Sequence, residues 1–413
     1  MAKDQTQDID SMKKIMQINI TCGVGSTGRI SKTLYDASIL RGYEARFAYS
    51  TGTPMIEGAF RIENKCQNIL RRGLNRVIGR KPIHSAPGTR RLIRYIEREN
   101  PDLIHLHNVQ QNSVDYRLLF DYLKGTDIPI VYTLHDCWSF TGGCYHFTKR
   151  GCVEYRDGCI GCSDTSRFDD ITMPPLETYR LKRELIGTND NIHPLCVSKW
   201  LAKVATESYM GQMKHKPRVV YNGIDTDVFC PTPSDIRSRL GISQDDFVVL
   251  GVAGYWTEDK GLSIFFEILE KLGDIKIILI GSGLDVVRAR GDDRYICIDR
   301  TENVRQLAEF YTMADVFVNT SIEETFGLTT AEAMSCGTPA IVFDSTACPE
   351  VVDETSGIVV DYDIDSMVDA ISTVRAKGKD FYANNARRRI VSEFSVEKMI
   401  DNYFEIYRGV LND

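Results

Sequence analysis

Short apolar runs of strand length, separated by stretches patterned as helices, recur along almost the whole chain. This alternation restricts the fold more than any other feature. KKIMQINI (13–20), ARFAYS (45–50), DLIHLHN (102–108) and IPIVYTLHD (128–136) occur in the first half, with a helix expected over 30–41. RVVYNGID (218–225) reads as a strand and turn. DFVVLGVAG (246–254), KIILIGSG (276–283), YICID, DVFVNTS, PAIVFD and GIVVDY follow, with helices expected over 261–272, 303–312, 327–336 and 396–409. Near-continuous apolar strands alternating with helices imply parallel sheets covered on both faces, hence an α/β class. A polar link with Gly211, Lys214, Lys216 and Pro217 divides two such units, expected at 12–212 and 213–390, with residues 391–413 closing the chain.

A length of 413 residues allows two or three domains, and 43% hydrophobic content is ordinary for a soluble globular protein. The net charge of −7 gives no general attraction for nucleic acid. No apolar run approaches the roughly 18–20 residues a membrane helix needs. The polar start MAKDQTQDID is not a signal peptide. Residues 1–11 read as a disordered tail or an expression scar, with Met12 as an alternative start. A cytoplasmic enzyme is the expectation.

Polar or reactive residues stand just past strand ends at Gly25, His107 and His135, the edge where parallel sheets hold ligands. The segment EETFGLTTAEAMSCGTPAIVF (323–343) reads as a strand end, a tight turn at Gly327, a short helix and a second strand. A helix starting there offers free N–H groups to a phosphate, and Glu324 and Glu332 offer carboxylates to sugar hydroxyls. A nucleotide-sugar site is therefore expected. Lys260 is a compact cation suited to a diphosphate leaving group, or else a solvated lysine at a helix start. Gly327 either admits a phosphate or only makes the turn. Gly25 and Gly28 flank Ser26 and Thr27 in CGVGSTGR (22–29), a spacing that differs from G-x-G-x-x-G and argues against a nicotinamide enzyme. His107 and Asn108 either touch an acceptor or cap a helix. His135 either faces a cleft or makes a structural hydrogen bond, and Asp136 either touches an acceptor or supports its loop.

Together these residues resemble the retaining glycosyltransferases of family 4, with the GT-B fold, over nearly all of 13–410. The resemblance rests on Glu324-x7-Glu332, Asn222-Gly223-Ile224-Asp225 with Phe229, Lys260-Gly261, and GSTGR at 25–29. It implies two Rossmann-like doubly wound domains facing across a cleft, with 391–413 crossing back to the first. It implies Glu332 on the donor ribose, Glu324 and His135 beside the transferred sugar, and Lys260 on the diphosphate with amides near Gly327 and Leu328. Arg29 and its glycine loop would lie under donor and acceptor. The stretch TLHDCWSFTGGC (133–144) resembles enzymes of capsule, exopolysaccharide and O-antigen (lipopolysaccharide) synthesis. A UDP- or GDP-sugar donor, a saccharide or polyprenyl-linked acceptor, no organic cofactor and no catalytic metal are implied. Tyr255, followed by Trp256, stands where the family commonly has Arg; Arg29, Arg300 and Arg305 are the available substitutes. A front-face reaction is preferred, although two carboxylates also permit double displacement. A GT-B epimerase or sugar phosphorylase and a noncatalytic nucleotide-sugar sensor remain alternatives.

Four of the twelve cysteines cluster, Cys144, Cys152, Cys159 and Cys162, inside an irregular insertion at 141–165. They read as a structural zinc site, as free thiols, or as disulfides that a cytoplasmic setting disfavours. Residues 65–98 carry Lys65, Arg71, Arg72, Arg76, Arg80, Lys81, Arg90, Arg91, Arg94 and Arg98. The stretch suits an anionic membrane surface, peripheral on the cytoplasmic face of the inner membrane, or a basic helix pair over the sheet. No reader of nucleic acid accompanies it.

Overall fold

The structure is a computed structural model and describes residues 12–63, 85–109, 114–162 and 173–412. The expectations for 1–11, and for Lys65, Arg71, Arg72, Arg76, Arg80 and Lys81, lie outside the described residues. Strands β1 (Lys14–Thr21), β2 (Glu44–Thr51), β3 (Phe60–Arg61), β4 (Leu103–Leu106), β5 (Ile130–Leu134), β6 (Ile192–Cys196) and β7 (Arg218–Val219) form one parallel sheet, ordered β3-β2-β1-β4-β5-β6-β7. Strands β8 (Phe247–Tyr255), β9 (Ile275–Ser282), β10 (Tyr295–Ile298), β11 (Val316–Asn319), β12 (Ala340–Phe343) and β13 (Gly357–Val360) form a second, ordered β10-β9-β8-β11-β12-β13. Both are Rossmann-like α/β sheets. In each, the strand order reverses beside the first strand, which opens a ligand crevice past the strand ends.

Three local expectations are corrected. RVVYNGID pairs as a strand only over β7; beyond it the chain meets Ser395 through a single bridge at Ile224. β7 also belongs to the first sheet, which therefore extends past residue 212. The helix expected from residue 30 begins at Gly25 and runs to Leu40, so GSTGR is its first turn rather than a free loop. Gly28 lies in that turn because a Cβ there would stand 2.5 Å from Thr21 Oγ1. Its small size thus serves helix-to-strand packing.

The helix Val396–Asn412 lies far from the first sheet in sequence but shares its core. Met399, Tyr403, Phe404 and Tyr407 pack with Ile15, Leu103, Val131 and Leu195 from β1, β4, β5 and β6. Under the HDCWSFTGGC loop, Lys182 is fully buried. Its ammonium donates to Trp138 O at 2.7 Å and Thr141 O at 3.2 Å and sits 3.5 Å from the Trp138 ring centroid. Lys182→Met keeps the packing volume but removes a charged donor from two buried carbonyls, of which Trp138 O keeps Thr141 N at 3.4 Å. It is expected to cost about 3 kcal/mol of stability, read as a lower denaturant midpoint with an unchanged slope.

Candidate active site

A crevice of about 590 Å³ lies between the two sheets. Arg29, His135, Lys260, Glu324, Gly327, Leu328 and Glu332 all line it, brought together from four separate parts of the chain. Lys260 ends the short turn Glu258–Lys260 after β8, and Thr320 Oγ1 at the end of β11 holds its carbonyl at 2.6 Å. Its ammonium lies 2.7 Å from Glu324 Oε1, with both side chains partly exposed. Gly327 has φ +96° and precedes the helix Leu328–Ser335, a conformation that a side chain would strain. The first amides of that helix have no capping side chain, and Gly327, Leu328 and Thr329 at its start line the cavity.

Glu332 is on the same helix and is 5% exposed. Tyr311 donates to its Oε2 at 3.0 Å, and Arg29 reaches its Oε1 from the opposite domain at 3.8 Å. Burial outweighs both partners and raises the Glu332 carboxyl to about 7. Burial, and after it the same carboxylate, pushes the Tyr311 phenol well above its ordinary range. Tyr311 was not foreseen: it sits on the buried face of an amphipathic helix, Val304–Met313, where an aromatic ordinarily means core. Ser26, Thr27, Asn222, Asp299 and Arg300 also line the crevice. Of the proposed substitutes for the missing arginine, Arg29 and Arg300 line it and Arg305 does not; Tyr255 is exposed outside it.

His135 follows β5 and lines the crevice, while its carbonyl accepts from Thr325 Oγ1 across the gap at 2.8 Å. Burial lowers its imidazole to about 4, so the ring is neutral near pH 7. His107 is buried behind it and bonds His135 rather than the open crevice. Asn108 uses its amide N–H to reach Asn19 Oδ1 at 3.2 Å, and the Asp136 carboxylate accepts from Trp138 N at 2.9 Å. Both interactions support loops. Gly25 and Gly28 are not among the crevice residues.

Two further contacts join the halves. Lys149, in the cysteine-rich insertion, donates its amide to Glu323 Oε1 at 2.8 Å and pairs its ammonium with Asp259. Glu350 accepts from Lys199 N, Trp200 N and Tyr221 OH at 2.7–2.9 Å. The insertion therefore borders the crevice beside Lys260 and Glu324. Its thiols feel one another's charge, yet among the described residues no three His, Cys, Asp or Glu side chains are gathered to hold a metal. That arrangement gives no support to the four-thiolate zinc expectation. Cys159 Sγ instead accepts from Gly142 N at 3.1 Å, and burial raises Cys144 to about 11 and Cys159 to about 12. None of the four is joined in a disulfide.

On the basic helix Ala86–Glu99, Arg91 donates to Ile62 O and lies over Phe60, while Arg98 pairs with Glu99; Arg90 and Arg94 project into solvent. Among the described residues no helix is long and apolar enough to cross a membrane.

Comparison with known proteins agrees with this architecture. A model described as glycosyltransferase family 4 matches residues 32–228, and one described as glycosyl transferases group 1 matches 246–376. The chain is 23% identical over 418 residues to N-acetyl-alpha-D-glucosaminyl L-malate synthase of Bacillus anthracis, covering 96% of this chain and 98% of that one. Its fold resembles sucrose-phosphate synthase from Thermosynechococcus elongatus, with TM-score 0.71, 17% identity and coverage of 97% and 99%. It also resembles Anabaena HepE in complex with UDP and glucose, with TM-score 0.64, 17% identity and coverage of 96% and 99%. With its two facing Rossmann-like sheets and matches that together span most of its length, the chain belongs to the family 4 glycosyltransferases of the GT-B fold.

Proposed function

We propose that this glycosyltransferase moves a sugar, with retention, from a UDP- or GDP-sugar to a saccharide or polyprenyl-linked acceptor in surface polysaccharide synthesis. The observation that carries the reading is the convergence of Lys260, one helix N-terminus, Glu324 and Glu332 on a single crevice. Lys260 and the amides near Gly327 and Leu328 take the diphosphate, Glu332 takes the ribose, and Glu324 and His135 take the transferred sugar. Arg29 and Arg300 supply the positive charge that Tyr255 does not. The unit carrying β1–β7 supplies the acceptor side, and the unit carrying β8–β13 holds the donor.

In the reaction, an acceptor hydroxyl attacks C1 on the face from which the leaving group departs. The new C1–O bond forms as the bond from C1 to the phosphate oxygen breaks, and that oxygen receives the hydroxyl proton. The products are the glycoside and a nucleoside diphosphate. Lys260 and fixed amide dipoles stabilise the charge that builds on the phosphate. UDP and glucose in HepE, and the UDP-glucose complex of the same protein, support a nucleotide-sugar donor. WaaG, of similar fold, is described as acting in lipopolysaccharide biosynthesis, which supports the acceptor class. Exposed Arg90 and Arg94 suit an anionic bilayer from which a lipid-linked acceptor is presented, at a cytoplasmic location.

A panel of UDP- and GDP-sugars with lipid-linked acceptor extracts, read by mass spectrometry, tests the proposal. Mass gain of one sugar on the acceptor with an α-configured donor and α-linked product is the expected result. Donor epimerisation, phosphate-dependent cleavage, or binding without turnover would replace it with one of the alternative readings.

A further inference from the structure

Behind the crevice runs a buried hydrogen-bonded chain that the donor contacts do not use. His135 Nε2 is 3.1 Å from His107 Nδ1, and His107 Nε2 is 2.9 Å from Gln17 Oε1. Gln17 Nε2 donates to Tyr407 OH at 3.2 Å, and Tyr407 OH is 2.6 Å from His105 Nδ1. His105 Nε2 then meets Thr133 Oγ1 at 2.8 Å, which meets Tyr403 OH at 3.0 Å. Gln17, His105, His107, Thr133, Tyr403 and Tyr407 are all buried, and the chain joins β1, β4 and β5 to the helix Val396–Asn412.

The links are not independent. A neutral imidazole gives one proton and takes one, and so does a hydroxyl within such a chain. Burial holds His105 and His107 far below the ordinary histidine range, so both rings are neutral. The Gln17 carboxamide presents its oxygen to His107 and its nitrogen to Tyr407. His107 must then carry its proton on Nε2 and accept on Nδ1. The one remaining donor for that lone pair is His135 Nε2–H. On the other side, Tyr407 accepts from Gln17 and donates to His105 Nδ1, so His105 donates from Nε2 to Thr133. One amide orientation thus sets every proton along the line.

We propose that Gln17, His107 and Tyr407 are positioning residues for sugar transfer. They hold His135 in the tautomer protonated on Nε2, so that its bare Nδ1 is the ring nitrogen left to accept a hydroxyl of the transferred sugar. The inference rests on the donor reading of the crevice for its last step only; the tautomer is a property of the free protein. It also explains why two further histidines and two tyrosines lie buried behind a crevice that needs one imidazole. A ring held at one nitrogen by a fixed acceptor keeps its plane, and misplacement of a reacting group by 1 Å can cost about 100-fold in rate.

The test labels the full-length chain with ¹⁵N-histidine and reads tautomers by long-range ¹H–¹⁵N correlation without substrate. The seven histidines are few enough to resolve, and the His135 signals are those that vanish in His135→Gln. Wild type is expected to show neutral His135 with the proton on Nε2. In His107→Phe, which keeps a flat ring but loses the acceptor, both tautomers are expected. There kcat should fall roughly 10- to 100-fold, with affinity for the free nucleoside diphosphate changed by less than about 2-fold. Tyr407→Phe loses only a hydroxyl two links further on, and should show the same pattern with a smaller loss. It supplies the kinetic test where His107→Phe does not fold. A wild-type His135 protonated on Nδ1, or a folded His107→Phe with wild-type kcat, overturns the proposal. The Nε2 tautomer together with no turnover of any nucleotide sugar would instead leave the chain standing and refute the donor reading.

Discussion

Lys260→Ala is expected to lower kcat by about 10²–10³-fold while the fold stays intact. Lys260 is half-exposed on a short turn, and its neighbours keep their backbone partners without its side chain. What the substitution removes is a cation that lines the same crevice as the uncapped helix start at Gly327, where the diphosphate is proposed to sit. A cation that meets charge developing on the leaving phosphate acts more strongly in the transition state than on the bound donor. The loss should therefore fall on kcat more than on the donor KM. Glu324, 2.7 Å away, also loses its counter-charge, so the Lys260→Ala/Glu324→Gln double variant should lose less than the two single changes multiplied. Steady-state kinetics on the three variants, beside thermal melts, decides the matter. A folded Lys260→Ala enzyme with unchanged kcat would place the diphosphate elsewhere.

Glu332→Ala is expected to raise the donor KM about 30-fold, corresponding to roughly 2 kcal/mol of lost charged hydrogen bonding. The wild-type enzyme should also show a pH signature. Its carboxyl, held near 7 by burial against an ordinary value of 4.5, keeps its proton in the free enzyme up to about neutrality. Only the ionised form accepts both ribose hydroxyls, so donor affinity should rise as the pH climbs through about 7 and then level off. Glu332→Gln should flatten that rise. The linkage to folding has the opposite direction. The folded chain binds the proton more tightly than the unfolded chain between 4.5 and about 7, so this group favours folding at low pH and loses that contribution as the pH rises across the window. In Glu332→Gln, stability should fall less over the same interval. Isothermal titration with the nucleoside diphosphate from pH 6 to 8, and denaturant melts from pH 4.5 to 8, measure the two effects.

The fold was readable where a single local signal decided the outcome. β1, β8, β9 and β12 are near-continuous apolar runs ended by polar or glycine residues. β6 was missed because His193 and Pro194 interrupt its apolar pattern, and its place between β5 and β7 comes from pairing rather than periodicity. The true helix start at Gly25 was obscured by glycines, which read as a loop; here one of them is required by Thr21 close behind the helix. In the crevice, charged residues at strand ends were visible as candidates. Tyr311 and the buried chain from Gln17 to Tyr407 were not. Their meaning depends on partners up to 390 residues away, and nothing in a tyrosine's immediate sequence says whether its hydroxyl will find a carboxylate, an imidazole or only apolar neighbours. The cysteine cluster was legible only as proximity along the chain, and among the described residues no three metal-ligating side chains gather around it.

The helix Val396–Asn412 has a consequence for biosynthesis. It supplies Tyr403, Phe404 and Tyr407 to the core beneath β1, β4, β5 and β6, so the amino-terminal sheet lacks part of its cover until the ribosome has released residues some 180 positions beyond β7. Nascent chains stalled before residue 396 should expose that greasy flank and recruit chaperones, whereas the full chain released from the ribosome should not.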